Sequence, residues 1–439
     1  MDALARGAAR PHALAAFVAI GLIAFTALGL STPQRFAAAE GRTLHVPAEH
    51  ATLEAAIAAS TAGDVILLAA GTYPGNVVVP ESRPGITIHG EDRNSVVFDG
   101  ADTRANAIEV EADGVTLENM SAHNFTDNGF YWDGVDGFAG RYLTVWNVGL
   151  YAIYAIESRH GIIEHSYASG AADAAFYIGE CNPCDTTLRD LIAVLSAVGY
   201  SGTNAGGNLV IEDSRFENNG IGILPNSFEV GLEPPPQRDA IVRHNVVIGS
   251  GSVPTPRATP LGGYHGIGIG VAGGVGNVIE GNEVTGSARY GIAVFTAVDR
   301  ETPWVSADNS IKSNQVSSSG LADLALAAGS GANNCFTGNT AAVTLPVDLA
   351  ASCSVLGAGD PTVAGNLNVA PPRLLEGLPE APSYATMPAP PVQQTMAVGD
   401  ATMNDVVLFI AAVVAAGLAL VTLLAFGFMR LRRRRTLTG

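Results

Sequence analysis

The sequence predicts an all-β solenoid, a single-stranded parallel β-helix, and three observations predict it. One short phrase recurs between about residues 114 and 340: alternating apolar and polar residues, a polar anchor, then Gly and more alternation. It reads Val115-Thr116-Leu117-Glu118-Asn119, Ile162-Ile163-Glu164-His165-Ser166 and Val210-Ile211-Glu212-Asp213-Ser214. It returns as Ile241-Val242-Arg243-His244-Asn245, Val278-Ile279-Glu280-Gly281-Asn282 and Ser310-Ile311-Lys312-Ser313-Asn314, and closes at Phe336-Thr337-Gly338-Asn339. The anchors fall at 119, 143, 166, 190, 214, 245, 282, 314 and 339, giving steps of 24, 23, 24, 24, 31, 37, 32 and 25. A fixed period in this range is the mark of a stacked-repeat architecture. Within each copy the period is two, a strand signal, and not the 3.6 of a helical repeat. A step of about 24 residues fits one coil of three short strands and three bends, with coils about 4.8 Å apart.

Residues 1–39 carry a basic start at Arg6 and Arg10, an apolar run from Ala13 to Leu30 and small residues at Ala37-Ala38-Ala39. This is the pattern of a signal peptide, and the long apolar run keeps an N-terminal anchor open. Residues 40–113 should form an N-terminal cap and the first coils. Thr52 is a good N-cap for Leu53-Glu54-Ala55-Ala56-Ile57-Ala58-Ala59, and Leu53, Ala56, Ile57 and Ser60 share one face. Such a helix would cover the open core and unpaired edges of the first coil. Apolar strands follow at Val65–Leu68, Val77–Val79, Ile86–Ile88 and Val96–Phe98.

The order VPAEHATLEAAIAAS, GDVILLAAGTYPGNVVV, GITIHG resembles the N-terminal cap and first coils of pectin-lyase-like right-handed parallel β-helix proteins. The later coils resemble the NosD-type repeats of exported bacterial proteins. The resemblance spans about residues 44–340, and right-handedness is what it implies. It also implies enzymes whose marks can be sought here. The DH-type strand and RxPxxR run of pectate lyases are missing, as is the Asp-Pro-His-Asp run of alginate epimerases. Arg159-His160-Gly161 only approaches the Gly-His-Gly of polygalacturonases, and Gly75 stands where pectinesterases carry Glu. The copper role implied by the NosD likeness finds nine scattered His and no ligand spacing. No cofactor is expected; calcium stays open without a motif to support it.

Within the repeats, assigned to 114–365 with a C-terminal cap, two features break the phrase. Residues 123–180 interleave aromatic rings with carboxylates, as a sugar-binding groove needs. Tyr131, Trp132, Asp133, Tyr154 and Tyr177 are the ligand-binding candidates from this stretch, against the plainer expectation that wide rings fill the core. Three insertions, 229–239, 251–263 and 299–308, account for the long steps and should project from one flank. Trp304 in the third is the remaining ligand candidate. Weaker catalytic candidates come from the position before each anchor. Stacking there would bring His165 beside Arg189 and Asp213 as acid, base and clamp; the competing reading is a solvated ladder of mixed charge. The four cysteines suit an oxidising compartment, and sequence order pairs Cys181 with Cys184 and Cys335 with Cys353. A redox motif or a metal site is the lesser reading of Cys181-Asn182-Pro183-Cys184.

Residues 366–404, with seven Pro, read as a stiff stalk. Val406–Met429 is a run of 24 residues without a charge, about 36 Å as a helix and enough for a hydrocarbon core of about 30 Å. The segment 405–429 is therefore assigned as a transmembrane helix. Arg430 and Arg432 to Arg435 follow, which places the tail 430–439 in the cytoplasm and the repeats outside. The net charge is −18, and the part between the two basic ends carries 15 basic and 40 acidic residues. Nucleic acid is excluded as a partner, since phosphate binding needs a basic surface. One Lys against 22 Arg points to a high-GC, bacterial source. The functional expectation is a single-pass, membrane-anchored extracellular module that binds glycan; the alternative is a polysaccharide lyase, hydrolase or epimerase.

Overall fold

The computed structural model of the chain describes residues 41–258, 264–299, 302–347, 349, 353–363 and 380–396. The expected signal segment, the transmembrane span Val406–Met429 and the basic tail lie outside these residues. Among the described residues no helix is long and apolar enough to cross a membrane. The architecture is an all-β, right-handed parallel solenoid. Its coils contribute one strand in turn to each of three parallel sheets. The first sheet has 12 strands, from Thr43–Val46 to Cys335–Thr337. The second has 10, from Gly71–Pro74 to Gln315–Ser317, and the third 11, from Val77–Val79 to Thr344–Leu345.

Alternation along each strand sends every second side chain inward, and the parallel register stacks these into columns. In the first sheet Ile66, Ile88, Leu117, Gly140, Ile163, Leu188, Ile211, Val242, Ile279, Ile311 and Phe336 follow one another in register. The apolar members are fully buried. Gly140 breaks the column for a reason: a Cβ there would lie 2.9 Å from Cη2 of Trp132, whose indole fills the space. Helix Leu53–Ala59 caps the first coil as expected. Thr52 Oγ1 accepts from the Ala55 amide, and Leu53, Ala56, Ile57 and Ser60 are buried beneath it.

The bend from the first sheet to the second explains the polar anchor. One residue per coil takes a left-handed conformation: Asn119, Tyr142, His165, Asp190, Asp213, His244, Gly281, Ser313 and Gly338. The next residue points inward, and from Ser214 onward these residues form a ladder. The Ser214 amide donates to Asn245 Oδ1, Asn245 to Asn282, Asn282 to Asn314 and Asn314 to Asn339. The steps of 31, 37, 32 and 25 residues are thus held in register by the carboxamides whatever the insertion between them. Gln237, Asn277, Asn309 and Asn334 build a second ladder at the bend entering the first sheet. Both disulfides form as paired by sequence order, Cys181–Cys184 and Cys335–Cys353.

Of the Pro-rich stretch 366–404, residues 380–396 are described. They run back along the solenoid, with the turn Tyr384–Thr386 against strands Thr144–Val148 and Tyr167–Ala171 of the second sheet.

Candidate functional site

The outer face of the third sheet differs from the other two faces. Strands Ala174–Gly179, Val198–Thr203, Ile221–Asn226, Ile267–Ala272 and Tyr290–Phe295 are buried on both sides. A second apolar cluster, separate from the interior, lies on this outer face around Val198, Ile221, Leu224, Ile267, Tyr290 and Phe295. The insertions cover it. Tyr264 stacks on Phe295 at 5.1 Å, and Trp304 packs against the cluster from the antiparallel hairpin Ala297–Asp299/Thr302–Trp304. The Glu229 amide donates to Asp299 at 2.7 Å, tying the first insertion to the third. Burial with Arg257 and Arg289 pushes His265 down to about 4.

On the N-terminal side of this cover the same face becomes polar and aromatic. Tyr131, Tyr154 and Tyr177 stand in register on successive coils, with Glu109 one coil before. Tyr131 and Tyr154 stack at 4.9 Å and 11°. Tyr151 lies 5.0 Å from Tyr154 and 4.9 Å from Tyr177. The hydroxyls turn to carboxylates: Tyr131 donates to Glu109 and Tyr151 to Asp173. Burial, reinforced by these negative charges, raises all four phenols well above their ordinary value, so they stay donors across the physiological range. Burial likewise raises Asp133.

Glu180 closes one end of the row. It sits with Glu157 and Asn204 at left-handed bend positions and is buried. It accepts from the Glu233 amide at 3.2 Å and from Asn204 Nδ2 at 3.4 Å. Burial raises it to about 7, with the charges of Glu157 and Glu233 adding to the effect. Gly231 passes so close over the carboxyl that no Cβ would fit there.

The structure therefore brings together Tyr131, Asp133, Tyr154 and Tyr177. It adds Glu109, Tyr151, Asp173 and Glu180, which sequence reading had only in the general aromatic-acidic stretch or not at all. Two ligand candidates are corrected. Trp132 points into the interior, where its Nε1 donates to the Val115 carbonyl and no ligand reaches it; strand alternation makes Tyr131 and Trp132 mutually exclusive on the outer face. Trp304 packs on the same outer-face apolar cluster as Tyr151, Tyr154 and Tyr177, on its covered part beside Gly273. Tyr131 and Tyr177 are buried and Tyr151 and Tyr154 half-buried, and the Tyr131 and Tyr151 hydroxyls are engaged by Glu109 and Asp173.

The catalytic trio is corrected as well. His165 sits at the bend, its ring tilted 34° against Tyr142 at 4.8 Å, with Nδ1 3.6 Å from Asp190. Arg189 lies one position earlier, on the strand, paired with Glu164 at 2.5 Å. Asp213 faces His244 at 3.8 Å. His165 and Asp213 lie in the bend column and Arg189 in the strand column, one position apart. The strand column is a charge ladder in strict alternation: Glu118, Arg141, Glu164, Arg189, Glu212, Arg243, Glu280, Lys312. Among the described residues no group of three or more His, Cys, Asp or Glu is placed to hold a metal ion.

A family model described as right handed beta helix region matches residues 128–367. No curated protein matches the chain by sequence. Solved structures similar to it include an alginate lyase from Paenibacillus sp. str. FPU-7, at 16% identity and TM-score 0.44 over 61% of this chain and 95% of that one. A rhamnogalacturonan lyase matches at 14% identity and TM-score 0.49 over 65% and 84%. The A-module of the Azotobacter vinelandii mannuronan C-5 epimerase AlgE4 matches at 14% identity and TM-score 0.38 over 66% and 85%. At these identities the likeness is one of fold alone. The family model covers more than half of the sequence, and the coils it describes are present strand by strand, so the chain belongs to the right handed beta helix region family.

Proposed function

We propose that this protein is an exported, membrane-anchored β-helix module that binds carbohydrate on the outer face of its third sheet. One observation carries the reading: four tyrosines from three coils, Tyr131, Tyr151, Tyr154 and Tyr177, set in a row among Glu109, Asp133 and Asp173. The half-buried ring of Tyr154 and carboxylates at coil spacing, Asp133 among them exposed, offer an aromatic surface and acceptors that suit the hydroxyls of an extended saccharide. The carboxylates and the acidic ectodomain favour a neutral glycan, because a polyuronate would be repelled. Anchoring rests on the sequence of Val406–Met429 and the arginines after it.

A glycan array probed with the full chain tests the reading. Binding to neutral oligosaccharides is expected, and Tyr154→Ala, at the middle of the row, should weaken it at least about ten-fold, the equivalent of about 1.4 kcal/mol. Binding that is unchanged in Tyr154→Ala would remove the site from this face.

A second reading, a carbohydrate-active enzyme, is favoured by Glu180, a carboxyl that holds its proton to about 7 next to Glu157. An acid of that strength beside a second carboxyl is the pairing that glycoside chemistry uses. New reducing or unsaturated ends in any bound glycan, abolished in Glu180→Gln, would select it over the binding module.

A further inference from the structure

The C-terminal segment is held in a way unlike ordinary loop packing. Two asparagines of the solenoid each read the main chain of one tail residue from both sides. Asn94 Oδ1 accepts from the Gln393 amide at 2.8 Å while its Nδ2 donates to the Gln393 carbonyl at 2.9 Å. Asn119 Oδ1 accepts from the Met396 amide at 2.7 Å while its Nδ2 donates to the Met396 carbonyl at 3.1 Å. Between them the buried Arg93 donates to the Gln394 carbonyl at 3.0 Å, and its own amide donates to Thr395 Oγ1. The same guanidinium donates to the carbonyls of Leu143 and His165, so it joins tail to coils. Upstream, Met387 rests on Gly170, where a Cβ would meet it at 2.8 Å.

Side chains of the tail add to this contact, since Thr395 Oγ1 donates to Asn119 Oδ1 at 2.8 Å and Met396 is buried, whereas Val392 points into solvent, 87% exposed. Pro388, Pro390 and Pro391 hold the preceding backbone extended without needing amide partners. The tail also roofs a cleft of about 280 Å³, whose walls include Arg93, Tyr142, His165 and Asp190, with Gln393 and Gln394 over it.

We infer that this face of the first coils is a peptide-docking groove that recognises an extended, Pro-preceded segment through its main chain. Residues 384–396 of the chain itself are its resident and releasable occupant. Main-chain reading through carboxamides and one arginine sets the partner class, an extended polypeptide rather than a sugar. Release of the tail opens the cleft at His165 and Asp190. The groove lies on the second sheet and its bend with the first, apart from the tyrosine face.

The test uses the full chain. Amide hydrogen exchange at Gln393 and Met396 should be at least ten-fold faster in the double variant Asn94→Ala/Asn119→Ala than in the wild type. A tail-side variant, Gln393→Pro/Met396→Pro, removes the two amides the groove accepts and leaves every coil residue unchanged. A fluorescent synthetic peptide of residues 384–396 should bind that variant at least ten-fold more tightly than the wild type, whose groove is filled in cis. Equal exchange in the wild type and the asparagine variant would overturn the proposal. So would a peptide that binds the tail variant and the wild type alike, or binds neither.

Discussion

Glu180 sets its chemistry against its surroundings: a carboxyl that would ionise in water is enclosed by Gly231 and faces Glu157 and Glu233. Its folded value of about 7 lies above the ordinary carboxylate range. A carboxyl raised on folding binds its proton more tightly in the fold, so its contribution is present in acid and lost as pH rises through the folded value. Asp64 has the opposite sign. Arg42 at 2.6 Å holds it far below the ordinary range, and its contribution fades only in strong acid. The Glu180 contribution to the melting temperature should therefore fall from about pH 4.5 to about pH 7, while His265, held down to about 4, works in the opposite sense up to about pH 6.5; Glu180→Gln should remove the first effect and leave the second. A slope unchanged in the variant would assign the dependence to other groups. Sequence reading reached the neighbourhood of this residue without its role. The alternation of residues 130–133 shows that either Tyr131 or Trp132 faces out. Only the space left by Gly140, on the neighbouring sheet, decides that Trp132 goes in. A period of two also makes any one-residue slip costly. The slip between 118 and 119, and between 189 and 190, turned an alternating charge ladder and a bend column into one false catalytic trio.

Across whole strands and bends, the recurring anchor is a device for holding coils in register. Asn282 shows what one rung does. Its Oδ1 accepts from the Asn245 amide at 2.9 Å, and its Nδ2 donates to the Val242 carbonyl and Asn314 Oδ1, each at 2.9 Å. Truncation to Ala removes these partners from the buried Asn245 amide and the Val242 carbonyl, while Asn314 Oδ1 keeps the Asn282 backbone amide. Each such loss costs about 1–3 kcal/mol, so Asn282→Ala should destabilise by about 2 kcal/mol or more. Asn339→Ala, at the partly exposed last rung, should cost clearly less, since water can replace the lost partner. Urea unfolding of the two variants checks the order; equal losses would mean that the ladder is not what holds these coils. By contrast, the exposed pairs of the charge ladder, such as Lys312 with Glu280 at 3.2 Å, contribute at most about 1 kcal/mol each. The ladder of anchors was legible because it repeats. The docking of the tail was not, because Asn94 and Gln393 are 299 residues apart and nothing local in either stretch marks the other.

For the molecule as a whole, the docked tail changes where an anchor would attach. The stalk read from sequence would carry the solenoid away from its C-terminal coil. Met396 instead rests on Asn119, among the early coils, and Val406 follows ten positions later. Ten residues reach at most about 35 Å even when fully extended. If Val406–Met429 spans the bilayer, the N-terminal third of the solenoid is therefore held near the membrane and the later coils are free to point away. Were it to span, the arginines after it would set the direction, with 430–439 inside and the coils outside. All four native cysteines are paired, so single introduced thiols report topology without interference. A cysteine at Val298, exposed on the hairpin of the third insertion, should react with an impermeant maleimide on intact cells. A cysteine at Thr436 should react only after the membrane is permeabilised. The membrane reading fails if Thr436→Cys labels on intact cells, or if the chain leaves the membrane fraction on alkaline carbonate washing. A span without covalent or ionic attachment is retained by the hydrocarbon core alone, and high pH does not release it.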